Sequence, residues 1–134
     1  MELAAADIQW REGMPYSLDY GDFYWSLPNG LAESVYVFLQ QNDLPSRWNN
    51  LTAADQSFSI GELGFGTGIN FLNCCELWLK TAPNNCTLYY FSAEPVPLKT
   101  ADLAKVFEQF LPLSAHGQAP VSYTHLTLPT TPYV

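Results

Sequence analysis

The stretch that most constrains the fold runs Phe58-Ser59-Ile60-Gly61-Glu62-Leu63-Gly64-Phe65-Gly66-Thr67-Gly68-Ile69-Asn70-Phe71-Leu72. It begins as a short apolar strand, passes three glycines at alternate positions and runs on into a helical pattern. Glycine has no Cβ, so the backbone can turn tightly there and a ligand can approach it closely. A helix that starts at such a turn points its unpaired N–H groups into the crevice at the carboxyl end of the strand. The order strand, glycine turn, helix therefore predicts an α/β fold with a ligand at the turn. The plainer alternative is a Gly-rich strand-to-helix connection that holds nothing.

Glu62 closes the strand, and its charge narrows the ligand. A carboxylate beside the turn repels a pyrophosphate but can receive ammonium or hydroxyl groups. Dinucleotide-binding turns read G-x-G-x-x-G and need a sixth-position glycine, where Ile69 stands. The run is instead Glu-x-Gly-x-Gly-x-Gly. It resembles the first motif of class I S-adenosylmethionine-dependent methyltransferases. That cofactor has no phosphate; it carries an amino-acid end, a ribose with two hydroxyls and an adenine.

The helix after the turn is expected over 69–80. Ile69, Phe71, Leu72, Cys74, Cys75, Leu77, Trp78 and Leu79 make it apolar on nearly every side, which predicts burial against both a sheet and a neighbour. Pro83-Asn84-Asn85 ends it. Thr87 to Ala93 then reads as a second strand, apolar enough to suit a parallel strand covered on both faces. Glu94 stands at its end, before Pro95 and 26 residues after Gly68. In a βαβ unit that position lies beside the glycine turn, where an acid can accept hydrogen bonds from ribose hydroxyls. The alternative is a solvent-exposed strand-end acid. A last helix is expected from about Leu98 to Leu111.

Upstream, residues 8–27 form an aromatic-rich lead-in of short strands, turned at Gly13-Met14-Pro15, which predicts a small hairpin or a pair of β-ribbons. Tyr20, Phe23, Tyr24 and Trp25 either pack against the domain or border a pocket. Residues 30–40 read as a helix, with Leu31, Val35, Phe38 and Leu39 at helical spacing, Asn29 as N-cap and Glu33 near the first turn. A turn over 41–46 and a polar loop over 49–56 lead to the strand at 57–63.

Charge and cysteines exclude other classes. With 13 acids against 5 bases the formal charge is −8. That is a poor match for a nucleic acid, whose binding rests on Lys and Arg contacts to phosphate, so any RNA-facing surface is expected elsewhere. Cys74, Cys75 and Cys86 form no C-x-x-C pair, and only two histidines are present, so no zinc-ligand spacing exists and no metal is expected. Buried reduced thiols are the expectation. The start Met1-Glu2-Leu3-Ala4-Ala5-Ala6-Asp7 lacks the bases of a signal peptide, and no apolar run nears the ~20 residues of a membrane helix.

From Val121 to Val134 the chain has no Asp, Glu, Lys or Arg, four threonines and two prolines. It closely resembles the translation of a sequencing adapter read in frame. The domain is therefore expected over 1–119, with 120–134 as a tail outside the fold; His125, readable as a catalytic base, is set aside with it.

Taken in order, Ile8-Gln9-Trp10, Gly13 to Ser17, Asp22 to Ser26, Asn29 to Leu39, Glu62 to Leu72 and Phe91 to Leu98 resemble one family. It is the amino-terminal methyltransferase domain of the bifunctional tRNA 5-methylaminomethyl-2-thiouridine biosynthesis protein. The resemblance covers roughly residues 8–113. It implies a truncated class I, Rossmann-like methyltransferase fold with an N-terminal β-ribbon and helix extension. It also implies a cytoplasmic enzyme moving a methyl group from S-adenosylmethionine to the aminomethyl group of a tRNA wobble uridine. A flavin (FAD)-dependent oxidoreductase half belongs to the same family and lies outside this chain, as does the acidic catalytic segment. Only cofactor-binding residues carry over: Glu62, Gly64, Phe65, Gly66, Thr67, Gly68 and Asn70 from the first motif, Glu94 and Pro95 from the strand end. Tyr24, Asn29 and Glu33 match the front segment and are expected near the methionine end. The competing readings are a methyltransferase of the same fold acting on a small molecule, and an NAD-dependent oxidoreductase domain.

Overall fold

The computed structural model describes residues 4–25 and 29–110, so the tail, His125 and the expected helix end at Leu111 lie outside the described residues. Within them the chain is a mixed α/β protein with two sheets. The first is an antiparallel ribbon of β1 (Ile8–Arg11), β2 (Met14–Ser17) and β3 (Asp22–Phe23), in that order. Glu12 and Gly13 join β1 to β2 with φ of 52° and 79°. Two central residues with positive φ match the twist of the flanking strands, which is why such turns close hairpins. The turn thus falls one residue earlier than expected. Met14 and Pro15 already belong to β2, where Pro15 is fully buried and serves as an acceptor only, taking the Tyr24 N–H at 3.2 Å.

The helix expected over 30–40 splits in two. Its first part, α1 (Gly30–Ser34), is α-helical; Val35–Gln40 is π-helical, with the Gln41 N–H donating to the Tyr36 carbonyl at 3.0 Å. Asn29 occupies the cap position of α1, but its side chain makes no capping bond. The segment taken for turn and loop hides a helical turn, α2 (Leu44–Asn49), with Pro45 in its first turn. Proline favours a helix start because its missing N–H has no partner there in any case. Leu44 and Trp48 sit one turn apart, and both are buried.

The second sheet pairs β4 (Ser57–Leu63) with β5 (Thr87–Ala93) in parallel, from Ser57 opposite Thr87 to Leu63 opposite Ala93. The crossover is α3 (Ile69–Thr81), and α4 (Thr100–Phe110) follows β5. Alternation puts Phe58, Ile60 and Glu62 on one face of the pair, beside Leu88, Tyr90 and Ser92. That face meets Leu39, Leu44, Trp48 and Cys74 in one core cluster. A second cluster joins Trp25, Phe65, Ile69, Val106 and Phe107, and so binds α4 and the ribbon to the glycine turn.

Among the described residues nothing covers the other face of β4 and β5, contrary to the expectation of cover on both sides. Leu63 is 94% exposed, Phe91 62% and Tyr89 50%. Helix α3 departs from expectation in the same way: only Ile69 and Cys74 are buried, and Leu79 is exposed. The apolar periodicity was written for burial that these residues alone do not provide. Each large apolar side chain left in water forgoes roughly 1.5–3 kcal/mol. The isolated chain is therefore expected to melt broadly and to enhance the fluorescence of a hydrophobic dye. No enhancement of the dye's fluorescence by the folded chain would refute this.

Candidate cofactor site

The glycine turn is left-handed at three points: Gly64, Gly66 and Gly68 have φ of 84°, 55° and 79°. Gly68 also needs the space. A Cβ there would lie 2.8 Å from Cζ of Phe65 and 3.1 Å from Cε1 of Phe107, both in the core. The turn is tied down at each end. The Gly64 N–H donates to the Ala93 carbonyl at 2.8 Å, and the Gly68 N–H to the Phe65 carbonyl at 2.9 Å. Leu72 N–H then bonds the Gly68 carbonyl at 2.9 Å and begins the ladder of α3.

Glu62 lies on the covered face of β4 and is only 7% exposed. Its Oε1 accepts the Asn70 amide at 2.9 Å. Its Oε2 is buried with no hydrogen-bond partner among the described residues, and so is the Tyr90 hydroxyl. The two groups interact without meeting hydrogen-bond geometry: burial first, then the Glu62 charge, push the Tyr90 hydroxyl far above its usual range. A buried, unpaired carboxylate oxygen is costly, which makes it a ready acceptor for a cationic or N–H donor. The adjoining thiols offer nothing reactive. Burial pushes Cys74 up to about 12 and Cys75 up to about 11, and all three cysteines are free.

Glu94, just past β5, reaches across to the turn. Its Oε2 accepts the Gly66 N–H at 2.8 Å and its Oε1 accepts the Val96 N–H at 3.0 Å. A carboxylate offers about four lone-pair sites, so both oxygens keep capacity for a ligand hydroxyl. Glu94 thus holds the turn, rather than standing as an unengaged strand-end acid. Tyr24 borders the same place: its Cδ1 lies 3.8 Å from where a Gly66 Cβ would be. Burial raises its hydroxyl pKa, the Ser17 hydroxyl opposes that, and Glu94, Asp19 and Tyr20 add to it.

The remaining expected residues fall in three places. Phe65 and Thr67 are buried in the turn, and Pro95 is exposed beside Glu94. Asn29 and Glu33 are exposed at the start of α1, and no side-chain hydrogen bond among the described residues links them to the turn. From that helix it is Ser34 that enters the site. Its hydroxyl donates to Oδ1 of Asn70 at 2.6 Å and accepts the Asn73 amide at 3.0 Å. Ser34, Asn73 and Tyr90 escaped the sequence reading. A signal existed for two of them. Ser34 is a polar residue on the Leu31–Val35–Phe38 face, and Asn70 and Asn73 are amides three apart in the apolar first half of α3.

No family model matches the chain. Comparison with curated proteins finds close relatives, each a tRNA 5-methylaminomethyl-2-thiouridine biosynthesis bifunctional protein, MnmC. The Legionella pneumophila protein (strain Philadelphia 1) is 40% identical over 128 residues, covering 95% of this chain and 19% of the relative. Those from Methylobacillus flagellatus and Aeromonas salmonicida are 40% and 43% identical, covering 92% of this chain and 19% of theirs. The chain therefore spans about a fifth of the length of the curated relatives it matches. Among solved structures, the crystal structure of MNMC2 from Aquifex aeolicus is similar at 19% identity and a TM-score of 0.47, over 88% of this chain and 40% of that one. The family likeness expected from the motifs is thus found by whole-chain comparison.

Proposed function

We propose that this chain, which matches the amino-terminal domain of the tRNA 5-methylaminomethyl-2-thiouridine biosynthesis bifunctional proteins, is the cofactor-binding part of a class I, Rossmann-like S-adenosylmethionine-dependent methyltransferase. The observation that carries the reading is Glu62: a buried carboxylate with one unpaired oxygen, at the head of a left-handed glycine turn. The site fits that cofactor. Glu62 Oε2 receives the ammonium of the amino-acid end. The backbone of Gly64, Phe65, Gly66, Thr67 and Gly68 lets it approach closely, with Asn70 orienting the acid. Glu94 accepts the ribose hydroxyls while it holds Gly66, and Tyr24 and Pro95 wall the crevice. Asn29 and Glu33, at the start of α1, are the front-segment residues assigned to the methionine end. When bound, the cofactor supplies an electrophilic methyl group on a sulfonium sulfur.

In the whole protein the acceptor is the amine of 5-aminomethyl-2-thiouridine at the wobble position of tRNA, in the cytoplasm. That amine must be neutral to attack, and the group that keeps it so belongs to a segment beyond this chain, as does the FAD-dependent half. The domain extends over residues 1–119, and the chain alone transfers no methyl group to tRNA. A second reading, a methyltransferase acting on a small molecule, is favoured by the −8 charge, which suits RNA poorly. The NAD-dependent reading is opposed by Ile69 and by the acid at the turn. Calorimetric titration decides among cofactors: S-adenosylmethionine is expected to bind and NAD is not. Tight NAD binding would overturn the reading.

A further inference from the structure

Four side chains form a directed hydrogen-bond chain that ends at Oε1 of Glu62. Asn73 donates its amide to Ser34 Oγ at 3.0 Å. With that lone pair engaged, the Ser34 proton points to Asn70 Oδ1 at 2.6 Å. The Asn70 carbonyl being fixed by that bond, its NH2 must face Glu62, where it donates to Oε1 at 2.9 Å. A flipped Asn70 would set its oxygen against the carboxylate, acceptor against acceptor, and leave two NH2 groups around one hydroxyl. The chain therefore fills one oxygen of Glu62, while Oε2 stays buried without a hydrogen bond among the described residues, although the Tyr90 hydroxyl is close enough to interact with the carboxylate. It also spans three elements, since Ser34 ends α1 where the π-helical segment begins, the two asparagines lie on α3 and Glu62 lies on β4.

We propose that Ser34 is a positioning residue of the cofactor site. Through the Asn70 amide it fixes the Glu62 carboxylate so that Oε2 presents to the ligand's ammonium group. This rests on the reading of Glu62 as the acid that receives that ammonium. Ser34 touches no ligand itself, so its effect belongs to one end of the ligand only.

The test compares two probes on the full 134-residue chain. S-adenosylhomocysteine carries the ammonium end, and methylthioadenosine is the nearly matching nucleoside without it. The Ser34→Ala variant is expected to bind S-adenosylhomocysteine about three- to tenfold more weakly, given the net strength of a neutral hydrogen bond. Methylthioadenosine affinity is expected to stay unchanged, and Ser34→Thr to restore the loss. In a Glu62→Gln background, Ser34→Ala is expected to add no further loss. Equal weakening of both probes, no weakening of either, or failure of Ser34→Thr to restore binding would overturn the proposal while leaving the functional reading intact. If the unaltered chain binds neither probe, the functional reading falls and this inference falls with it. Far-UV circular dichroism checks each variant's fold. Should Ser34→Ala lose its helical signal, Ser34→Cys, a weaker donor of similar size, is put through the same comparison and judged by the same outcomes.

Discussion

Replacing Gly68 with alanine is expected to destabilise the chain by about 2–5 kcal/mol, from two separable causes. The left-handed backbone at φ 79° costs a residue with a Cβ roughly 1–2 kcal/mol. The new methyl also meets Phe65 at 2.8 Å and Phe107 at 3.1 Å, and both rings are core residues with no free direction to move. Such overpacking adds about 1–3 kcal/mol. Gly66 is the control. It has the same sign of φ, but a Cβ there meets only Tyr24 at 3.8 Å, so Gly66→Ala should show the backbone cost alone. Urea titration followed by tryptophan fluorescence separates the two variants. Equal losses would mean that the contact with Phe65 and Phe107 does not constrain the turn.

Truncating Trp48 to alanine is expected to cost about 3–5 kcal/mol, enough to unfold a chain with an open sheet face. Trp48 is fully buried and meets Trp78 edge-on at 5.1 Å and Phe58 at 5.8 Å between ring centroids. It is the anchor of α2, a helix of six residues that cannot persist without tertiary contacts. Trp48→Phe should be much milder. The indole N–H is buried without a partner among the described residues, so removing it relieves a desolvation cost of about 1–3 kcal/mol and offsets part of the lost packing. Circular dichroism at 222 nm after purification checks both. A folded Trp48→Ala variant with native helix content would show that α2 is dispensable to the core around β4.

The contrast between these two residues shows what was legible in the sequence. Gly68 belongs to a motif in which each residue type has one physical reason to be there, so strand, turn and helix were readable from residues 57–81, and β5 from residues 87–93. The placement of Glu62 and Glu94 beside the turn was readable too, because one lies at the end of β4 and the other just past β5, its parallel neighbour. Trp48 was not: a single helical turn has too few residues to show a period, and its Pro45 and polar neighbours read as a loop. Ser34 was missed for a different reason. Its role depends on α1 lying against α3, a tertiary fact that no local pattern encodes. The open face of β4 and β5 misled in the opposite sense, since an apolar strand reports the burial it was selected for and not the burial the described residues supply.

The central claim is that Glu62, the glycine turn and Glu94 together cradle S-adenosylmethionine. It is tested most directly by amide NMR of the chain during titration with S-adenosylhomocysteine. The largest shifts are expected at Gly64, Gly66, Gly68 and Val96, with smaller ones at Ser34 and Asn73. Saturating ligand with no shift in residues 62–70, or shifts confined to other elements, would contradict it.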